Sequence, residues 1–384
     1  MNFPGGAVFF AYAALFAALY AGFGVQSPYL PALLREHGLD AELIGTVLAA
    51  GTAVRLAAGP AAARVADRFD AARLVFAVCA AGAAVAALGY VPAHGVWPLL
   101  AVNLLQAAAL APLAQLADAL VLRTAAPGSR RFPYGWVRGV GSGAFILGTA
   151  LSGEAVARRG LDTVIWLNAG LLLLAAAYIG RMRPLSPNPP PAASATPSRG
   201  DVMALLRSPE FRRILAVAAL ILGSHALHDS FAVIRWSDAG IGPATAGFLW
   251  SEAVAAEVVV FLVVGRPVLD RLGPAGVAVL ASGAGALRWG ISAETAWLPA
   301  VAAIQPLHGI TFALLHLACM RRLAETVPPH LAATALALYG IVAIGAATAL
   351  LTLLSGWLYG TIGARGFWAM AALCLIAVPV ARKL

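Results

Sequence analysis

Charged side chains are scarce in this 384-residue chain: Asp, Glu, Lys and Arg together make up 11% of it. A soluble domain carries roughly a quarter. With 26 basic and 17 acidic residues, the chain cannot cover a water-soluble core of this length, so a soluble globular protein is excluded. Disorder needs low hydrophobicity and high charge, and an apolar content of 61% excludes that too. Cysteine is also rare. Cys79, Cys319 and Cys374 sit in apolar runs without paired spacing, so they read as packing residues and say nothing of redox compartment. No basic stretch precedes the first apolar run, because the first charged side chain is Arg35. The run from Ala7 to Gly24 is therefore expected to be a retained span.

Apolar length is what the chain has in excess. A spanning helix needs about 20 such residues, and the apolar total suits about twelve of them. Runs punctuated by Gly, Pro and Arg predict spans at 7–26, 42–63, 74–91, 97–120, 135–156 and 163–180. A second set follows at 211–234, 244–265, 275–292, 297–319, 332–354 and 366–381. Between the sets, Pro184, Pro187, Pro189, Pro190, Pro191 and Pro197 read as a solvated, semi-extended linker. The expected fold is an all-α membrane protein. It has twelve transmembrane helices in two pseudo-symmetric six-helix bundles, 1–180 and 211–384, joined by a linker at 181–210.

A net charge of +9 would suggest nucleic acid in a soluble protein. Here it reads as orientation. With the N-terminus inside, 18 of the 26 basic residues fall on the cytoplasmic side and five outside. That bias makes both termini and the linker cytoplasmic. Three arginines, Arg55, Arg138 and Arg288, remain within spans.

The halves repeat one another. Asp67-Arg68 is matched by Asp270-Arg271, and Leu151-Ser152-Gly153 by Leu354-Ser355-Gly356, both at an offset of 203. Tyr134-Gly135 is matched by Tyr339-Gly340, and Gln106 by Gln305. Parallel repeats of this kind place a substrate site near the bilayer midplane.

A charge within a span costs about 2.5–3.5 kcal/mol on insertion scales and needs a partner or water. The span residues of this kind are Arg55, Asp118, Arg138, His225, His228, Asp229, Glu252, Glu257, Arg288, His308 and His316. Arg138 and Arg288 offer the guanidinium fork that pairs with a carboxylate, and either could clamp an anionic substrate or serve a buried acid. Glu257 is a candidate proton carrier, five residues from Glu252 and on a different face. His308, between Pro306 and Gly309 where the helix is loosened, suits proton exchange near neutral pH. His225, His228 and Asp229 have helical spacing but no apparent fourth ligand, so they read as a polar patch, not a zinc site. Asp118 could pair with Arg55, Arg123 or Arg138. The small residues of Gly139-Val140-Gly141-Ser142-Gly143 lack the strand of a nucleotide loop and suggest close helix packing. No HExxH or GxSxG pattern is found, which speaks against an enzyme.

Asp67-Arg68 and Asp270-Arg271-Leu272-Gly273 resemble the signature loop of the major facilitator superfamily. Ala63 and Asp70 stand where that pattern has glycine. A closer similarity is to the proton-linked 3-phenylpropionate transporters, relatives of the lactose permease branch. It is carried by Tyr134-Gly135 to Arg138 with Gly141-Ser142, by Gly247 to Ser251, by Ala256-Glu257-Val258 and by Arg288-Trp289-Gly290. Leu307-His308 and His316-Leu317-Ala318 complete it. The resemblance implies that Arg138, Arg288 and His308 fall at the sugar-binding arginine, a coupling arginine and the functional histidine of lactose permease. Val254 and Thr311 replace two of that protein's acids, so a galactoside is not expected.

The resulting expectation is a monomeric proton symporter, without cofactor, metal or nucleic-acid partner, in the inner membrane of a bacterium. It would import a small, aromatic monocarboxylate by alternating access. Arg138, Arg288, His308, Trp136, Phe248 and Trp289 would bind substrate. Glu257, His308, Asp229 and Asp118 are the proton-coupling candidates. Asp67, Arg68, Asp270 and Arg271 would form cytoplasmic locks. The alternatives are a neutral sugar or nucleoside symporter or a drug antiporter on the same fold, and, in a different class, a receptor or enzyme.

Overall fold

The computed structural model describes residues 6–124, 134–182 and 199–384, and these are helical, with no strand among the described residues. The first series is α1 (Gly6–Gln26), α2 (Leu30–Glu36), α3 (Ala41–Arg68), α4 (Ala72–Leu88), α5 (Val96–Leu110), α6 (Leu113–Thr124), α7 (Tyr134–Arg159) and α8 (Asp162–Arg181). The second begins with α9 (Arg199–Arg207), α10 (Pro209–Gly223), α11 (Ala226–Asp238), α12 (Pro243–Val259) and α13 (Gly265–Glu294). It ends with α14 (Leu298–Ile304), α15 (Leu315–Thr326), α16 (Ala332–Leu338), α17 (Ala347–Ile362) and α18 (Phe367–Ala381). Three π segments lead directly into the helices that follow them, Val260–Val264, Gly309–Leu314 and Tyr339–Ala346.

Among the described residues, nine helical runs are long and apolar enough to cross a membrane. Two of them, Pro243–Glu294 and Pro329–Ala381, are 52 and 53 residues long. A straight helix of that length would extend about 78 Å, more than twice a bilayer core. Each run is broken once by a glycine with positive φ: Gly273 (φ 67°) and Gly363 (φ 58°). Glycine accepts that conformation because it lacks Cβ. Pro274 then restarts the helix, as suits a first helical position.

The turn after α3 solves the same problem differently. Asp70 holds φ 46°, the one described non-glycine residue with positive φ. It lies three residues after Asp67, as Gly273 lies three after Asp270. The left-handed turn thus persists where the signature glycine is absent, because Asp is among the few side chains that tolerate it.

Packing divides the chain into two units. The first holds Met1–Leu39, Ala53–Ala193 and Gly242–Ser251, and the second holds Asp40–Thr52, Ser194–Ile241 and Glu252–Leu384. The start of α3 therefore packs with the second unit and the start of α12 with the first. Glycines make both attachments. A Cβ on Gly356 would stand 2.8 Å from the Ala41 carbonyl oxygen and 2.9 Å from Gly45 Cα. A Cβ on Gly153 would meet the Pro243 carbonyl oxygen at 2.7 Å. Tyr29 donates its hydroxyl to that same carbonyl at 2.9 Å. Gly153 and Gly356 end the repeated Leu-Ser-Gly triplet, so the repeat marks two equivalent helix crossings.

Inside the first unit, α1 and α7 cross closely: a Cβ on Gly24 would meet the Phe145 carbonyl oxygen, and one on Gly148 would lie 2.6 Å from that of Ala21. Of the glycines at 139, 141 and 143, only Gly141 packs against another helix, on Tyr20 and Phe16. That narrows the close-packing expectation to one residue of the three. The linker expectation is also corrected. Residues 199–207 form α9, and Ser208 caps α10 by accepting from the Phe211 amide at 3.4 Å. The rest of the linker, 183–198, lies outside the described residues, as do Arg130 and Arg131.

Candidate functional site

A buried polar cluster lies in the second unit. Arg288, on α13, is 1% exposed, and Trp289 beside it is fully buried. Arg288 Nη1 stands 3.1 Å from His308 Nδ1, and Nη2 donates to Gln305 Oε1 at 3.2 Å. Arginine only donates, so His308 Nδ1 must accept, and the neutral ring carries its proton on Nε2. That nitrogen faces Glu257 Oε2 of α12 at 3.4 Å. Arginine thereby sets the histidine tautomer and directs its N–H at the carboxylate. Gln305 and His308 are presented by the turn between α14 and the π segment, where Pro306 supplies no amide to continue the ladder.

Arg288 has no carboxylate at ion-pair distance among the described residues. Its Nε is buried without a hydrogen-bond partner. The guanidinium lies 4.6 Å from the centre of the Trp289 ring. Trp289 in turn donates its indole N–H to Ser224 Oγ at 2.8 Å. Phe367 stacks on Trp289 at 5.9 Å, so in this conformation Trp289 is buried and backs Arg288.

His225 sits where α10 gives way to α11. Its Nδ1 lies 3.1 and 3.0 Å from the carbonyl oxygens of Ile221 and Leu222. Carbonyls only accept, so Nδ1 holds the proton and Nε2 accepts from Thr311 Oγ1 at 3.0 Å. Both ring nitrogens are thus engaged. Asp229 contrasts with it: the side chain is 53% exposed, 3.4 Å from His228 Nδ1, and its charge acts on Arg288, His308 and His225.

In the first unit, Arg138 of α7 pairs with Asp118 of α6 at 3.8 Å. Tyr134 donates to the same carboxylate at 2.8 Å, and the guanidinium lies 4.7 Å from the Tyr20 ring centre. Arg138 is therefore already matched by an acid, unlike Arg288. Trp136 and Phe248 are 62% and 65% exposed. Arg55 is exposed in the middle of α3 with the Tyr90 phenol as its ionisable neighbour, and it forms no ion pair with a described residue.

In the expected second-half lock, Asp270 has its nearest cation on α15. Asp270 pairs with Arg321 at 2.7 Å, and Arg321 and Arg322 reach Glu325 at 3.2 and 3.3 Å. Arg271 makes no ion pair among the described residues. Arg68 lies over the Phe69 ring at 5.7 Å. Residues Arg321 and Glu325 were absent from the expected set, although the i,i+4 Arg-Glu spacing on α15 was readable. These charges are solvent-exposed and weakly held. Asp270→Asn is expected to leave thermal stability in detergent unchanged while altering the rate of substrate counterflow, which a melting scan and initial rates check.

The chain matches the model of the MFS_1 like family over residues 9–370. It is 33% identical over 368 residues to a probable 3-phenylpropionic acid transporter of Escherichia coli, covering 94% of this chain and 93% of that protein. Its fold is similar to that of the nucleoside transporter NupG, with a TM-score of 0.83 at 16% identity, covering 100% of this chain and 98% of that one. It is also similar to a bacterial metal transporter, with a TM-score of 0.72 at 12% identity, covering 100% and 99% of the two chains.

Proposed function

The chain belongs to the MFS_1 like family and is a transporter of the major facilitator type, and we propose that it imports a small aromatic monocarboxylate together with a proton. The observation that carries this reading is Arg288. A buried cation held by two neutral acceptors, with Nε unengaged, keeps donor capacity for an anionic oxygen. A carboxylate is the ligand that a guanidinium takes bidentately. The 33% identical relative named for 3-phenylpropionic acid supports an aromatic body on that carboxylate.

Proton coupling follows from the same cluster. The Arg288–His308–Glu257 series ends on a carboxylate that is part exposed, at 23%. Substrate charge arriving at Arg288 withdraws the guanidinium from His308, and the ring can then take a proton at Nδ1 while Nε2–H remains on Glu257. Binding of the anion and of the proton thus favour one another. Asp229 supplies a second acid within range, and Arg138 with Asp118 forms a pair that opens and closes with the cycle.

The proposed topology is twelve crossings with both termini inside the inner membrane of a bacterium, acting as a monomer. The nine long runs reach twelve when each of the two longest counts as two crossings and the 17-residue apolar α4 as one more. The two bundles are assigned to 1–180 and 211–384. Asp67, Arg68 and the Asp270–Arg321 pair are assigned to the cytoplasmic locks.

Uptake by proteoliposomes tests the substrate class. Labelled 3-phenylpropionate should enter under an inward proton gradient and be displaced by related aromatic acids. Galactoside or nucleoside uptake without acid uptake would overturn the carboxylate reading.

A further inference from the structure

Glu257 has a second histidine near it that the mechanism above leaves unused. We propose that His316, on α15, receives the proton from Glu257 and passes it toward the end of the helix that carries Arg321 and Arg322. This rests on the proton-coupled reading and extends it to the exit route.

The register of the helix makes the connection. His308 and His316 are eight residues apart, and at 100° per residue they would point about 80° from each other. The π segment Gly309–Leu314 lies wholly between them. A π turn takes up one residue more than an α turn, which brings the two histidines to within about 20° on one face. Glu257 is 3.4 Å from His308 Nε2, and Phe261, four residues further on, brings its ring to 6.4 Å from that of His316. A matching π segment, Val260–Val264, follows Glu257 on the facing helix.

The surroundings of His316 suit a carrier. Tyr339 Oη stands 3.4 Å from His316 Nδ1, leaving Nε2 for the exchange. The rings of Phe261 and Tyr339 lie 6.4 and 5.8 Å away and limit access. The groups facing His316 are therefore Glu257 from α12 and Tyr339 from the π segment before α17, with Cys319 on its own helix. In the step, doubly protonated His308 gives its Nε2 proton to Glu257. The Glu257 carboxyl O–H then breaks onto an intervening water, which gives one of its own protons to form a His316 N–H, leaving carboxylate, water and imidazolium. The imidazolium then releases its proton to water at the inner end, and the neutral ring is restored.

His316→Gln in the full-length protein, reconstituted in liposomes with labelled 3-phenylpropionate, tests the route. Counterflow exchange needs no net proton movement and should stay within about twofold of the unmodified protein. Accumulation driven by a proton gradient should fall by about 100-fold, the low end for loss of an acid–base group. Unchanged accumulation would overturn the role of His316. If counterflow is lost as well, Tyr339→Phe decides, since it removes only the hydroxyl at Nδ1. Slowed accumulation with intact counterflow then supports the route, and unchanged accumulation overturns it. Absence of substrate-linked proton movement in the unmodified protein would instead overturn the coupled-transport reading itself.

Discussion

Arg288→Gln is expected to weaken carboxylate binding by more than about a hundredfold, or about 3 kcal/mol, the cost of removing one partner of a buried charge pair. Isothermal titration of the purified protein with 3-phenylpropionate measures it. The same substitution should hold or raise the melting temperature. Arg288 is 1% exposed and has no carboxylate at ion-pair distance among the described residues, so its removal relieves an unmatched buried charge. Loss of affinity without loss of stability is the signature of a ligand site. A marked fall in stability would make Arg288 a structural residue. Arg138→Gln provides the contrast: its guanidinium already has Asp118 at 3.8 Å, so a smaller loss of affinity is expected.

The second large effect concerns the crossing at Gly356. Any side chain there meets the Ala41 carbonyl oxygen and Gly45 Cα at less than 3 Å, and both are backbone atoms that cannot rotate away. Gly356→Val should cost this conformation about 1–3 kcal/mol, shifting its population by about 5- to 150-fold. Spin labels at Glu42 and Thr361 report the separation of α17 from the start of α3 directly. A longer distance in the variant is the expected result. An unchanged distance would mean that the helices accommodate the side chain by local shifts.

Much of this was legible in the sequence because the membrane makes charge informative. With so few ionisable residues in the spans, listing them already brought Arg288, His308 and Glu257 into view. The Leu-Ser-Gly repeat pointed to equivalent positions, and the structure makes them the two glycine crossings. Other features were beyond a periodicity reading. A π turn adds one residue without changing composition, so the alignment of His308 with His316 has no sequence signature. Gln305 appeared only as the counterpart of Gln106, and its hydrogen bond to Arg288 depends on the turn at Pro306. Trp289 read as an aromatic residue for the apolar part of the pocket, and its packing against Phe367 and Ser224 depends on tertiary contacts that periodicity does not carry. The lock motif Asp270-Arg271 was readable, but the nearest cation to Asp270 comes from α15, a tertiary contact between residues 51 positions apart.

Coupling of proton to carboxylate movement is the centre of the proposed mechanism. The most direct measurement is external pH in a lightly buffered suspension of de-energised proteoliposomes on addition of 3-phenylpropionate. Alkalinisation that tracks substrate uptake and disappears in Glu257→Gln is the predicted result. Substrate uptake with no change in external pH would contradict proton coupling through His308 and Glu257.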